Sequence, residues 1–162
     1  MKKTFLFTTL TLLLVVFGVQ SVNAQKLKGV EINGVIWAIK NVGAKKAEDY
    51  GKYYTWNEAQ TVCPKGWRVP TKEEFESLEN AGSVWTTQNG KDGRNFGDGN
   101  NIIFLPAAGH SDSSDGTLGA AGQGCYWSST NVGFEHALHF NSYNAHICGG
   151  KTFKFSVRCV KE

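Results

Sequence analysis

Alternating hydrophobic and polar residues predict a β-hairpin near the start of the chain. Two strand-like runs, residues 28–32 and 35–40, flank Asn33 and Gly34. An Asn-Gly pair readily adopts the positive φ angles that a two-residue hairpin turn requires. The pattern therefore predicts two antiparallel strands joined by a tight turn.

Two helices are predicted from their N-terminal capping signals. The signals pair Thr55 with Glu58 and Thr71 with Glu74. In such a capping box, the two side chains satisfy backbone N–H groups that the first helical turn leaves without partners. We expect one helix over residues 56–62, ended by Pro64, and a second from residue 72 to about residues 80–82, with Phe75 and Leu78 on one face.

The remaining pattern predicts strands separated by long loops. Residues 83–124 are mostly typical of loop, except for an apolar strand at residues 102–105. Further strands are predicted at residues 126–130, 136–141 and 153–160. Helices kept apart from antiparallel strands predict an α+β fold with a small antiparallel sheet.

The first 24 residues have the pattern of a secretory signal peptide. Lys2 and Lys3 precede an apolar run over residues 5–19, and Ala24 ends a small-residue cleavage motif before Gln25. A membrane anchor is the alternative, but the run is shorter than the roughly 20 apolar residues that span a bilayer. We expect cleavage after Ala24, a single domain over residues 25–162, no membrane span after cleavage, and a secreted, periplasmic or cell-surface location.

Composition and charge narrow the class of protein. The chain has 19 glycines in 162 residues, which favours a loop-rich fold over a helical bundle. Its net charge is +3, and removal of Lys2 and Lys3 lowers this to +1. A balance so close to neutral does not predict nucleic acid or an anionic membrane as a partner.

The four cysteines predict disulfide bonds in an exported protein. From the residues alone, three pairings are open. The alternative is a zinc site that combines Cys125 and Cys148 with some of His136, His139 and His146. However, the chain has no Cys-x-x-Cys pair, and these spacings match no common zinc module.

Two stretches of the sequence contain side chains that could bind a calcium ion. Residues 111–116 and 98–101 are rich in Asp, Asn and Ser, which are ligand types that calcium accepts. Neither stretch matches a twelve-residue calcium loop, and turns use the same residues for their backbone geometry. We therefore predict no cofactor, with calcium as the alternative.

Five short phrases along the chain carry a family resemblance. They are YGKYYTW at 50–56, CPKGWRVPT at 63–71, LPAAG at 105–109, YWSST at 126–130 and SVRCV at 156–160. Together they resemble the Fibrobacter succinogenes major paralogous domain family, whose members are secreted or surface-exposed bacterial domains. The family is similar to C-type-lectin-like domains and to the formylglycine-generating type of domain. The resemblance implies two short helices, a small sheet under long loops, and termini that lie close together.

The resemblance also implies a disulfide between Cys63 and Cys159. Cys125 and Cys148 have no counterpart in the family pattern, and we predict a second bond between them across the loop-bearing end. Arg68 and Arg158 are expected to be solvated or salt-bridged. The aromatic residues of the phrases and of the hairpin are expected in the core. These residues are Trp37, Trp56, Trp67 and Trp127.

The segment 131–150 is the strongest candidate for a ligand-binding face. It mixes aromatic, imidazole and amide side chains, which suit stacking and adaptable hydrogen bonding. The candidate residues are Phe134, His136, His139, Asn141, Tyr143, Asn144 and His146. The alternative is an ordinary polar surface, with core residues at Ala137, Leu138 and Phe140.

These observations predict a non-catalytic module that binds a glycan or a protein ligand at a cell surface. Lectin-like domains are also targets of diversity-generating retroelements, which rewrite asparagine codons, and this segment is rich in residues reachable from them. One alternative is an enzyme related to formylglycine generation, which needs a reactive cysteine pair. Another is a purely structural surface component. No Ser-His-Asp or Cys-His phrase assigns catalytic roles to the histidines.

Overall fold

The computed structural model of the protein describes residues 27–149 and 152–162. The predicted signal peptide at residues 1–24 lies outside the described residues. Within them the chain forms two helices, α1 (Trp56–Ala59) and α2 (Lys72–Asn80), and thirteen strands. The strands are β1 (Gly29–Ile32), β2 (Val35–Ala38), β3 (Trp67–Arg68), β4 (Ser83–Gln88), β5 (Lys91–Asp98), β6 (Asn101–Pro106), β7 (His110–Asp112), β8 (Leu118–Gly119), β9 (Gly124–Asn131), β10 (Glu135–Phe140), β11 (Ala145–Gly149), β12 (Phe153–Lys154) and β13 (Val160–Lys161).

The predicted hairpin is confirmed by β1 and β2. Asn33 and Gly34 form its turn with φ angles of 49° and 78°. The two strands continue into a sheet of order β1-β2-β13-β3, in which β2 pairs with β13. The first and last strands of the described chain therefore share one sheet, as the resemblance implied for the termini.

Both helices begin with the predicted capping boxes. Thr55 and Glu58 satisfy each other's backbone N–H groups at α1, and Thr71 and Glu74 do so at α2. The second helix has the expected length and buries Phe75 and Leu78. The first helix ends at Ala59, short of the predicted residue 62, because the chain continues in turns that precede Pro64.

The prediction that residues 83–124 are mostly loop is wrong. This segment contains β4, β5 and β6, which pair as an antiparallel meander. The β4–β5 turn is Asn89-Gly90, the same turn type that marked the first hairpin. Polar residues and glycine dominate β5, so its hydrophobic alternation is weak, and the strand is held by its two neighbours.

A second three-stranded sheet contains most of the candidate ligand-binding segment. Its order is β11-β10-β9, with antiparallel pairing throughout. The predicted strands at residues 126–130 and 136–141 are confirmed as β9 and β10, whereas β11 was not predicted. The strand predicted over residues 153–160 is instead two short strands, β12 and β13, separated by irregular chain.

The β11-β10-β9 sheet lies between two hydrophobic clusters. Leu138 and Phe140 of β10 belong to one cluster, together with Trp37 and Phe75. Ala137 belongs to the other, together with Trp127. Consecutive residues of β10 thus alternate between two buried faces. Trp37 and Trp127 are buried as predicted, and Trp56 and Trp67 are partly buried against the second cluster.

The Cys63–Cys159 disulfide is present and joins the chain after α1 to the segment before β13. The predicted Cys125–Cys148 bond is wrong, because both residues are free thiols. Cys125 lies on β9 opposite His139, and Cys148 lies on β11 opposite Ala137. Strand β10 therefore separates them, which places their Cα atoms roughly 10 Å apart from strand spacing alone. A disulfide requires Cα atoms within about 7 Å.

The two arginines of the family phrases have different environments. Arg68 forms a bidentate ion pair with Glu74, with N–O distances of 2.7 and 2.6 Å. Arg158, in contrast, is fully buried, and the expectation that it is solvated or salt-bridged is wrong. It donates to Asn41 Oδ1 and to the carbonyl oxygens of Ala38 and Phe104.

The architecture is a set of small antiparallel sheets with few helices, which is consistent with an α+β or a mainly β class. Across residues 27–149 and 152–162, neither helix has the length and apolar character needed to cross a bilayer.

Candidate functional site

Three of the seven candidate residues line one cavity. Phe134, His136 and His146 face a cavity of about 440 Å³ that is bounded on its other side by α2. Gly133, with φ of 80°, turns the chain between β9 and β10, and a bulge follows between Glu135 and Ala137. These two features set the position of Phe134 and His136 at the start of β10.

Phe134 and His136 form a stacked pair at the rim of this cavity. Their ring centroids are 4.5 Å apart with an interplanar angle of 25°. His136 is buried, and its Nδ1 lies 3.3 Å from the carbonyl oxygen of Thr130. Phe134 is 43% exposed, so part of its ring is free to contact a ligand.

Helix α2 supplies the charged side of the cavity through Lys72, Glu76 and Glu79. Lys72 Nζ lies 3.3 Å from Glu76 Oε1, so these two charges are paired. Burial and the nearby Glu76 raise the pKa of Glu79. The Oε1 of Glu79 is buried and has no hydrogen-bond partner. The lining of the cavity thus includes a residue with one buried carboxylate oxygen that lacks a hydrogen-bond partner.

Sequence reasoning missed the contribution of α2. Lys72, Glu76 and Glu79 recur at spacings of four and three residues. That spacing places them on one stripe of a helix. The stripe was visible in the sequence, but nothing in the sequence placed it against β11.

His139 does not line this cavity, although it is paired across strands with His146, which does. Its row contains Cys125 on β9 and His146 on β11. The His139 and His146 rings are 4.9 Å apart, and His139 Nε2 lies 2.8 Å from Gln123 Oε1. Burial, and to a lesser degree His146, lowers the pKa of His139. His139 Nε2 is therefore satisfied within the protein, whereas its Nδ1 is buried without a hydrogen-bond partner.

Asn141, Tyr143 and Asn144 form the tip of the β10–β11 hairpin. The Oδ1 of Asn141 accepts hydrogen bonds from the backbone N–H groups of Tyr143 and Asn144, at 2.8 and 3.1 Å. Arg94 Nε donates to the carbonyl oxygen of Asn141 at 2.9 Å. The tip is thereby fixed, and it presents Tyr143 with 91% of its surface exposed. Arg94 was not predicted from the sequence, since it lies about 47 residues away.

The seven candidate residues therefore do not form one continuous binding face but lie in three separate regions. Phe134, His136 and His146 line the cavity, whereas His139, the cross-strand partner of His146, does not. The three tip residues follow the far end of β10, whose six residues span roughly 17 Å.

The two acidic stretches considered for calcium form turns. Asp112 Oδ1 accepts hydrogen bonds from the N–H and hydroxyl groups of Ser114, at 2.7 and 2.6 Å. Asp115 Oδ1 accepts a hydrogen bond from the N–H of Thr117. Asp98 and Asn101 are a register pair that closes the β5–β6 turn. Among the residues described, no cluster of three or more His, Cys, Asp or Glu side chains is arranged to hold a metal ion.

Comparison with known families gives one match. The family model of the Fibrobacter succinogenes major domain matches residues 18–161. The chain belongs to this family. The match covers every element of the major-domain fold described above, including the cavity and the hairpin tip. No curated protein and no solved structure matches the chain.

Proposed function

We propose that this major domain is a non-catalytic ligand-binding module of an exported protein and that it binds a glycan between α2 and β11. The observation that carries the proposal is the cavity lined by Phe134, His136 and His146. Its volume of about 440 Å³ lies within the range of small-ligand sites. The Cys63–Cys159 disulfide fits an oxidising compartment.

The chemistry of the lining favours a sugar. An aromatic ring such as that of Phe134 offers an apolar surface to the C–H face of a pyranose. The Nε2 of His136 and the ring nitrogens of His146 suit hydroxyl groups, which both donate and accept hydrogen bonds.

A glycan array probed with residues 25–162 tests this proposal. The cavity variant is Phe134→Ala with His146→Ala, and the matched control is Tyr143→Ala with Asn144→Ala at the hairpin tip. We expect the cavity variant to lose array binding at least tenfold, while the tip variant binds as the parent does.

The other outcomes separate the alternatives. Loss in the tip variant alone would contradict the cavity assignment and favour a protein ligand that contacts Tyr143. If the parent bound no glycan and both variants bound to cell surfaces as the parent does, the structural role would be favoured. A formylglycine-type enzyme would need a reactive thiol, whereas burial raises the pKa values of both Cys125 and Cys148.

Kinship with C-type-lectin-like domains is part of the proposal. It is supported by the two short helices, by the first and last strands sharing a sheet, and by the disulfide between the chain after α1 and the segment before the last strand. An experimental structure whose helix pair and terminal sheet failed to superpose on a C-type lectin domain would refute this kinship.

We further propose that a diversity-generating retroelement varies residues of this ligand-binding segment. The exposed positions Phe134, Tyr143, Asn144 and His146 would tolerate many side chains. His136 is buried, and Asn141 holds the hairpin tip, so diversification at these two positions would weaken the fold. A genome without a nearby reverse transcriptase and a template copy of this segment would contradict this form.

A further inference from the structure

Five lysines surround two adjoining cavities at the start of the domain. The first cavity, of about 380 Å³, is lined by Lys28, Lys40, Lys45, Lys46, Leu27 and Ile39. The second, of about 510 Å³, also contains Leu27 and Lys28 and adds Ile36, Trp67 and Lys161. We infer that the two cavities form one binding site for an acidic polysaccharide chain.

None of these five lysines forms a salt bridge within the part of the chain that the structure describes. In the described residues, the two salt bridges are Arg68–Glu74 and Lys72–Glu76. The sequence outside the described ranges contains no Asp or Glu. Like charges gathered around a cavity repel one another, and a bound anion would relieve that repulsion.

The carboxylate of Asp49 lies near Lys45 and Lys46 in sequence and already accepts hydrogen bonds. Asp49 Oδ2 accepts hydrogen bonds from the backbone N–H groups of Lys45 and Lys46, at 3.1 and 2.9 Å. The hydrogen bond from Lys46 is the main cause of the lowered pKa of Asp49. These bonds shape the loop that holds Lys45 and Lys46 at the first cavity, and both lysine side chains remain exposed.

The apolar residues of the lining favour a ligand with a sugar ring next to its negatively charged group. Trp67 is half-buried and packs over Gly29, where an added Cβ would lie 3.0 Å from its Cη2 atom. An indole and the side chain of Ile36 suit the C–H face of a ring, while ammonium groups form charge-assisted hydrogen bonds with carboxylates. A uronic acid carries both features on each residue of its chain. Binders of single-stranded nucleic acid instead stack successive bases on several aromatic side chains, and Trp67 is the single aromatic residue lining these two cavities.

This site is separate from the cavity between α2 and β11. Its lining comes from the start of the described chain, from the loop that follows β2, and from β2, β3 and β13. The inference therefore does not rest on the proposed function, and variants at one site serve as controls for the other.

Isothermal titration calorimetry of residues 25–162 with hexagalacturonate tests the inference. The site variant is Lys28→Gln with Lys45→Gln, and the control is Lys65→Gln with Lys91→Gln. All four lysines are exposed, so both variants lose the same charge from the surface. We expect the affinity to fall about tenfold in the site variant and less than about twofold in the control. An equal loss of affinity in both variants would refute the assignment of this site.

Two further ligands separate charge from ring recognition. Maltohexaose has the rings without the charge, and linear hexaphosphate has the charge without the rings. We expect both to bind at least about tenfold more weakly than hexagalacturonate, whose binding should also weaken as salt rises. Equal binding of maltohexaose would overturn the role of the lysines, and equal binding of hexaphosphate would overturn the assignment of a sugar chain.

Trp67→Leu tests the ring contact directly. Hexagalacturonate binding should weaken and hexaphosphate binding should stay the same, whereas equal effects on both ligands would contradict the contact. If this variant does not fold, the comparison of ligands on the parent protein still decides the point. The Phe134→Ala and His146→Ala variant should bind hexagalacturonate as the parent does, and a loss there would place the acidic chain at the other site.

Discussion

Arg158 donates its Nε–H group to the Oδ1 of Asn41 over 2.9 Å, and almost none of either side chain is exposed to solvent. The same guanidinium donates to the carbonyl oxygens of Ala38 and Phe104. Burial lowers the pKa of Arg158 to about 10. The cation is therefore stabilised by neutral acceptors, and it joins the end of β2, the strand β6 and the segment before β13.

Asn41→Ala should lower the free energy of unfolding by about 2–3 kcal/mol. The change leaves a buried donor of Arg158 without its partner and also removes the Asn41 bonds to Tyr50 and Tyr126. Chemical denaturation measures the effect. Asn57→Ala, at an exposed position of α1, is the control and should change stability by less than about 0.5 kcal/mol. If both variants changed the free energy of unfolding by a similar small amount, the stabilising role of the Arg158–Asn41 hydrogen bonds would be refuted.

Replacing Cys63 and Cys159 by Ala should lower the free energy of unfolding by about 4 kcal/mol. The bond closes a separation of 96 residues and so restricts the unfolded chain. Urea denaturation compares the double variant with the parent. A reductant should destabilise the parent and leave the variant unchanged, and the pairing would be refuted if the reductant affected both equally.

Cys125 should resist alkylation by iodoacetamide at pH 8 in the folded protein. Burial, with a smaller effect of Cys148, raises the pKa of its thiol to about 12, so the reactive thiolate is scarce. Peptide mass mapping should find Cys125 unmodified in the native protein. After denaturation without reductant, Cys125 and Cys148 should both be modified, and rapid native labelling of Cys125 would refute the buried thiol.

Stability should fall as pH decreases through about 6.5. Burial lowers the folded-state pKa of His139, so the unfolded chain binds a proton more readily than the folded one between that lowered value and 6.5. The stabilisation is complete above this window and is lost within it as the pH falls. Thermal unfolding across pH 4–7 should show a smaller slope for His139→Gln. An unchanged slope would show that His139 does not titrate in this window.

Arg94→Met should release the hairpin tip. Arg94 is buried and holds Asn141 and Ser142 through their carbonyl oxygens, with Ser83 as a third partner. Hydrogen exchange at the Tyr143 amide should therefore quicken. Lys91→Met, at an exposed position, is the control. Equal exchange in both variants would contradict the role of Arg94.

Local interactions account for the parts of the fold that were predicted correctly. The Asn33-Gly34 turn and the capping boxes at Thr55 and Thr71 depend on residues within four positions of one another. Such signals can be found in the sequence because no distant contact is needed to form them.

Distant contacts account for the parts that were missed. The strand β5 contains Lys91, Asp92, Gly93, Arg94 and Asn95, and its own pattern does not favour a strand. It forms because β4 and β6 pair with its backbone on both sides. The same reason explains β11, whose partner β10 has the stronger hydrophobic pattern.

The candidate segment shows the same division. Its composition was enough to indicate aromatic, imidazole and amide chemistry, because residue types are a local property. The tertiary structure separated that chemistry into a cavity, His139 with its internal partner Gln123, and a hairpin tip, since contacts with distant parts of the chain determine the surroundings of each side chain. It also placed α2 beside Phe134 and kept Cys125 and Cys148 apart on either side of β10. Those outcomes depend on packing between residues far apart in the chain, so only the folded domain decides them.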